Sequence, residues 1–212
     1  MPAPPGLYPR AIRSVFVVTE HPSALSDERK HHYDRIRRRL EHVSGGDVES
    51  VRYVDVGDLR GAGAVVLSGS FAPWAWHDPA ALEDLGRRIR DFDGPVLGIC
   101  AGVQLQAMFA GGAVGRAKQK VEGFGRVDVL DGSDLLRGMP ASITVYKHHS
   151  DEIVLRPDGF RVVATSSECA VEAISCPDLL WWGTQFHPEE FRREHPAGER
   201  VLRNFFELAR GI

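Results

Sequence analysis

Three short stretches of this chain are apolar without a break: Ser14-Val-Phe-Val-Val-Thr19, Ala64-Val-Val-Leu67 and Pro95-Val-Leu-Gly-Ile99. A strand with one wet face alternates apolar and polar residues, so an unbroken apolar run predicts a strand covered on both faces. Helical periods separate these runs. Ser26 can cap a helix whose first turn carries Asp27 and Glu28, where the helix dipole favours acids. Its inner stripe is Tyr33, Ile36, Leu40 and Val43, and Gly45-Gly46 stops it. Arg35, Arg37, Arg38 and Arg39 then form its solvated face, with partner docking as the alternative. Val48 to Val54 alternates and predicts a further strand. Asp78-Pro79 starts a second helix striped by Leu82, Leu85 and Ile89, and a third runs from Ala101 to Phe109.

Buried strands alternating with helices define an α/β protein. A mostly parallel central sheet lies between two helical layers, a three-layer sandwich. After Gly112 short strand candidates follow one another: Val127–Leu130, Ile143–Tyr146, Glu152–Leu155, Arg161–Ala164, Val171–Ile174 and Leu180–Trp182. They predict a small antiparallel portion in the C-terminal half. Val201, Leu202, Phe205, Phe206 and Leu208 close the chain with an amphipathic helix. Residues 1–10 read as a Pro-rich tail and 11–212 as a single domain, since no linker composition divides them.

The formal net charge of −3 lacks the basic excess of a general nucleic-acid binder. No apolar run approaches the roughly 18 residues of a membrane helix, and the N-terminus has no secretory leader pattern. Three Cys without paired spacing argue against a disulfide framework, so the expected setting is cytoplasmic and the cysteines are expected to be thiols.

The sharpest chemical signal is Gly98-Ile-Cys100-Ala-Gly-Val-Gln104, where an apolar strand runs through Gly-x-Cys-x-Gly into a helix. This is the nucleophile-elbow pattern with Cys in the place of Ser. The glycines allow a turn too tight for side chains, and the turn presents sulfur at a helix N-terminus. Read alone, Cys100 could equally be a small core residue. Farther along comes Trp182-Gly-Thr-Gln-Phe-His187-Pro188-Glu189. A nucleophilic Cys needs a base, and the base needs an orienting acceptor. Pro188 pushes His187 towards extended backbone, where residues two apart point the same way. His187 and Glu189 are therefore expected on one side.

Together these segments resemble the class I glutamine amidotransferases, the triad glutaminases. The resemblance adds Val65-Val-Leu-Ser-Gly-Ser70, in the place of the family's oxyanion strand. It also adds Tyr146-Lys-His-His-Ser-Asp-Glu152, where the family usually has Ser-His-Gly. It implies a flavodoxin-like sheet and hydrolysis of L-glutamine to glutamate and ammonia through a γ-glutamyl thioester. Cys100 would be the nucleophile, His187 the base and Glu189 its orienter. The backbone N–H groups of Ser70 and Ala101 would form the oxyanion hole. Gly69, Gln104, His149, Ser150 and Asp151 would bind the substrate. No cofactor is implied. The expected partner is a separate ATP-dependent synthetase that accepts the ammonia, with no synthetase domain in the chain itself.

Two departures from the family stand out. Ser68-Gly69-Ser70-Phe71 replaces the usual Ser-Gly-Gly-Pro. Ser70 cannot take positive φ as cheaply as Gly, so the turn either has another shape or switches on binding a partner. Ala101 replaces a larger residue but keeps the backbone donor. No protein-bound metal is expected: His31-His32 and His148-His149 lack companion ligands at tight spacing, and Cys169 and Cys176 read as core. Trp74 and Trp76, just after the oxyanion segment, could line a pocket or a partner surface. Two rivals remain open: a γ-glutamyl hydrolase using the same Cys, His and Glu, and a non-catalytic docking protein.

Overall fold

The structure is a computed structural model and describes residues 11–212; the tail expected at residues 1–10 lies outside the described residues. The first half alternates as the patterns predict. β1 (Ser14–Val18) leads to α1 (Asp27–Ser44), then β2 (Val48–Arg52) and β3 (Ala64–Leu67). α2 (Pro79–Arg90), β4 (Val96–Ile99) and α3 (Ala101–Phe109) follow. The punctuation works as read. Ser26 accepts from the Arg29 N–H at 3.3 Å, and Gly45 ends α1 in the left-handed region at φ 66°. Asp78 accepts from the Ala80 N–H at 2.9 Å, with Pro79 opening α2.

The second half contributes β5 (Ala113–Val129), β6 (Ser142–Leu155), β7 (Arg161–Thr165), β8 (Ala173–Cys176), β9 (Trp181–Thr184) and α4 (Ala197–Arg210). The candidates Ile143–Tyr146 and Glu152–Leu155 are two ends of one strand, β6. Nothing between them turns: Lys147 and His149 are buried on one face and keep the alternation going. β5 likewise starts well before Val127.

Among the described residues all nine strands share one sheet, in the order β2-β1-β3-β4-β9-β8-β7-β5-β6. Pairing is parallel from β2 through β9 and antiparallel from β9 to β6. The antiparallel strands thus extend the central sheet itself. The pleat of β1 divides the core: Phe16 and Val18 face the layer of α1 and α4, and Val15 and Val17 face that of α2 and α3. Among the described residues no helix is long and apolar enough to cross a membrane. The parallel strands β1, β3, β4 and β9 end on one rim, where an open α/β sheet places its ligands.

Candidate active site

The rim carries a cleft of about 200 Å³ at the carboxyl ends of these strands, with Cys100 and His187 among its lining residues. Cys100 joins β4 to α3 at φ 52°, ψ −107°, a sparsely populated region that costs about 1–3 kcal/mol and must be held by its surroundings. The hold is visible. The Cys100 N–H donates to Thr184 O at 2.7 Å, and its carbonyl accepts from the N–H groups of Val103 and Gln104, each at 3.1 Å. The two glycines are required by contact: a Cβ on Gly98 would lie 2.4 Å from Gln106 Oε1, and one on Gly102 would lie 2.4 Å from Leu67 O.

The carbonyl of His148, on β6, brings sulfur and imidazole together. Cys100 Sγ donates to it at 3.7 Å, and His187 Nε2 lies 3.3 Å from the same oxygen. His187 Nδ1 is 2.8 Å from Glu189 Oε1. With the carboxylate accepting, Nδ1 carries the hydrogen and Nε2 is the nitrogen turned towards sulfur. Burial by itself would lower the His187 pKa. The Glu189 carboxylate and Cys100 outweigh it and hold the imidazole well above its ordinary value. The arrangement suits a group that takes a proton from sulfur and keeps it until a leaving group needs it.

His187 and Glu189 meet as expected, for a different local reason. His187 is non-helical at φ −101°, ψ 88°, but Pro188–Glu190 form a single 3-10 turn. That turn, rather than extended alternation, carries the carboxylate back to the ring. Arg39 of α1 donates to the Glu189 carbonyl and lies 3.6 Å from the Glu190 carboxylate. One member of the basic run therefore braces this turn instead of facing only solvent.

Among the described residues, positive φ outside glycine occurs at Cys100 and Leu180, not at Ser70. In this structure the oxyanion turn therefore forms without positive φ at Ser70. Its organiser was not visible in the motif. Glu20, at the end of β1 and fully buried, accepts at Oε1 from Ser70 Oγ (3.0 Å), the Ala72 N–H (3.0 Å) and its neighbour His21 N–H (3.1 Å). At Oε2 it accepts from the Phe71 N–H (3.0 Å), Tyr33 OH (3.2 Å) and Arg29 (3.2 Å). The Gly69 carbonyl accepts from Tyr33 OH at 3.1 Å, Thr19 Oγ1 at 3.2 Å and Ser68 Oγ at 2.7 Å. In a trans peptide this turns the Ser70 N–H the opposite way. Among the described residues neither that N–H nor the one at Ala101 meets a protein acceptor. A Cβ on Gly69 would come within 3.0 Å of His187 Cε1, which explains glycine there.

Gln104 lines the cleft with its amide already engaged. Nε2 donates to Asp151 O at 2.8 Å and Gln185 Oε1 at 3.1 Å, and Oε1 accepts from Trp74 Nε1 at 3.1 Å. It fixes the wall that contains Ser150 and Asp151. Gln185, fully buried, donates its Nε2 towards Cys100 Sγ at 3.6 Å. It lies inside the motif around His187, yet nothing in the motif marks it as facing sulfur. His149 is a buried member of the same wall, and burial first, then His187 and Lys147, lower its pKa to about 4. Trp74 lines the cleft and Trp76 is exposed, while Trp181 and Trp182 are core.

A glutamine amidotransferase class-I family model matches residues 35–209. The chain belongs to the class I glutamine amidotransferase family. It is 42% identical over 118 residues to the glutamine-hydrolysing GMP synthase subunit of Thermococcus kodakarensis, covering 56% of this chain and 62% of that one. With the same-named protein of Thermoplasma acidophilum it is 36% identical over 152 residues, covering 72% and 74%. A crystal structure described as a putative GMP synthase subunit from T. acidophilum superposes with TM-score 0.77 at 30% identity, over 94% of this chain and 95% of that one. The match to the T. kodakarensis relative thus spans less than two thirds of its length.

Proposed function

We propose that this chain is a glutamine-hydrolysing subunit that supplies ammonia to a separate ATP-dependent synthetase, and that the synthetase forms GMP. Cys100 Sγ attacks the side-chain amide carbon of glutamine while His187 Nε2 takes the thiol proton. The oxyanion is received by the N–H groups of Ser70 and Ala101. His187 then protonates the leaving ammonia, which leaves a γ-glutamyl thioester on Cys100. Water, deprotonated by His187, releases glutamate. Glu189 orients the ring throughout, and Gly69, Gln104, His149, Ser150 and Asp151 shape the pocket around the amino-acid end of the substrate. Residues 11–212 act as one glutaminase unit.

The observation that carries this reading is the convergence of sulfur and imidazole on the His148 carbonyl, with Glu189 behind the ring. A docking protein has no use for a strained Cys100 backbone held by two obligatory glycines. The likeness to glutamine-hydrolysing GMP synthase subunits supports the choice of acceptor. All three cysteines are free thiols, which suits a cytoplasmic setting.

The test is reconstitution with the ATP-dependent GMP synthase subunit from the same source. Glutamine-driven GMP formation should require both proteins, and glutamate should appear with it. Turnover of γ-glutamyl conjugates in preference to glutamine, indifferent to the synthetase, would establish the γ-glutamyl hydrolase instead. Complex formation without any glutamine turnover would leave a docking protein.

A further inference from the structure

At the pocket wall His149 meets a buried group of side chains to which the proposed reaction gives no chemical step. His149 of β6 and Cys169 and Glu172 of the β7–β8 connection bring one ligand atom each to within 4.8 Å of one another. All three are buried. Cys169 and Glu172 form a Cys-x-x-Glu pair on one tight turn, pinned by Ser166 Oγ, which accepts from the Cys169 N–H at 3.1 Å and donates to Glu172 Oε1 at 2.6 Å.

This cluster is not satisfied from within the protein. Neither ring nitrogen of His149 meets hydrogen-bond geometry with a partner, although the Asp151 main chain lies close to the ring. Glu172 Oε2 is buried without a partner, and so is an oxygen of Glu152, whose carboxyl bears on the Cys169 thiol. A buried polar atom left unpaired is destabilising, so several in one place call for a ligand. The charges point the same way. Lys147 Nζ pairs with Glu172 Oε1 at 2.8 Å and Glu168 Oε2 at 3.0 Å. One ammonium thus faces two carboxyl groups, and it pairs with Oε1 of Glu172 while Oε2 is left without a partner.

We propose that His149, Cys169 and Glu172 hold a structural divalent cation of the zinc type. Nitrogen, thiolate sulfur and carboxylate oxygen are the donors such an ion takes in tetrahedral sites. Zinc–ligand bonds of about 2.0–2.3 Å require the three atoms to close by roughly 1 Å, a movement within reach of side-chain rotation. On binding, the Cys169 thiol, which otherwise donates to Val171 O at 3.3 Å, releases its proton to solvent. The ion ties β6 to the β7–β8 turn and so fixes the strand that supplies His148, Ser150 and Asp151 to the cleft. Sequence spacing does not reveal the site, because His149 lies on β6, far from the Cys-x-x-Glu pair of the β7–β8 connection.

The test loads the purified full chain with Zn2+ alone and with Co2+ alone. About one equivalent of Zn2+ should remain after gel filtration. Co2+ should give a thiolate-to-metal charge-transfer band that persists in Cys100→Ala and disappears in Cys169→Ser. His149→Gln and Glu172→Gln should each weaken Zn2+ affinity at least about 10-fold, and they decide the matter if Cys169→Ser does not fold. Zn2+ should raise the unfolding temperature of the unaltered chain. No retained metal, or a charge-transfer band that follows Cys100 rather than Cys169, would overturn the proposal.

Discussion

Cys100→Ala is expected to abolish glutamine-driven product formation by the reconstituted complex, by about 10⁴-fold or more, and to leave synthesis from added ammonium salts intact. The loss is large because the thioester has no other nucleophile: Cys169 and Cys176 are buried away from the cleft. The ammonium route survives because the acceptor chemistry lies on the other protein. His187→Ala should behave alike. Glu189→Gln should be milder, about 10³–10⁴-fold, since the ring stays in place with its orientation weakened. It should also leave a signature in the pH profile. The Glu189 carboxylate opposes the effect of burial on His187, so its removal lets the imidazole pKa fall. Activity that needs the imidazolium is lost as pH rises through that pKa, and the alkaline limb of the rate profile should move to lower pH. If Cys100→Ala also lost ammonium-driven synthesis in an assembled complex, the chain would do more than hydrolyse glutamine.

Glu20→Ala carries the second large effect. Glu20 touches neither sulfur nor imidazole, yet it holds Ser70 Oγ, two backbone N–H groups of the oxyanion segment and Tyr33, which in turn anchors the Gly69 carbonyl. Without it the Ser70 side chain and the Phe71 and Ala72 N–H groups lose their acceptor, and the Ser70 N–H, restrained only from the Gly69 carbonyl side, is expected to drift from its donor position. Losing one oxyanion donor lowers kcat about 10²–10³-fold. Stability should fall by roughly 1–3 kcal/mol as buried amides go unpaired. A purely structural role would lower stability alone. A positioning role lowers kcat at temperatures where the variant is still folded, leaves alkylation of Cys100 by a simple thiol reagent unchanged, and is partly rescued in Glu20→Gln, which keeps one acceptor oxygen. Unchanged kcat in folded Glu20→Ala would remove Glu20 from this role.

What the sequence shows and what it hides follow a physical division. The apolar runs of β1, β3 and β4 are legible because burial on both faces leaves no polar residue in them. The caps at Ser26 and Asp78 are legible because orphan helix N–H groups select those side chains. The elbow is legible because Gly98 and Gly102 are demanded by contacts of 2.4 Å. β6 was harder: buried Lys147 and His149 are polar, and only their ion pairing and packing make them interior residues. Glu20 was hidden for a similar reason. An acid after a strand reads as surface until six hydrogen bonds from three segments are seen to converge on it. His149, Cys169 and Glu172 belong to the same class, assembled by the sheet and silent in the spacing.

The most direct measurement is labelling with a glutamine analogue that carries an electrophilic side chain, followed by peptide mapping, with competition by L-glutamine. A triad glutaminase predicts one adduct, on Cys100, suppressed by glutamine and lost in His187→Ala. An adduct on Cys169 or Cys176, or labelling of Cys100 that neither glutamine nor His187→Ala affects, would contradict it.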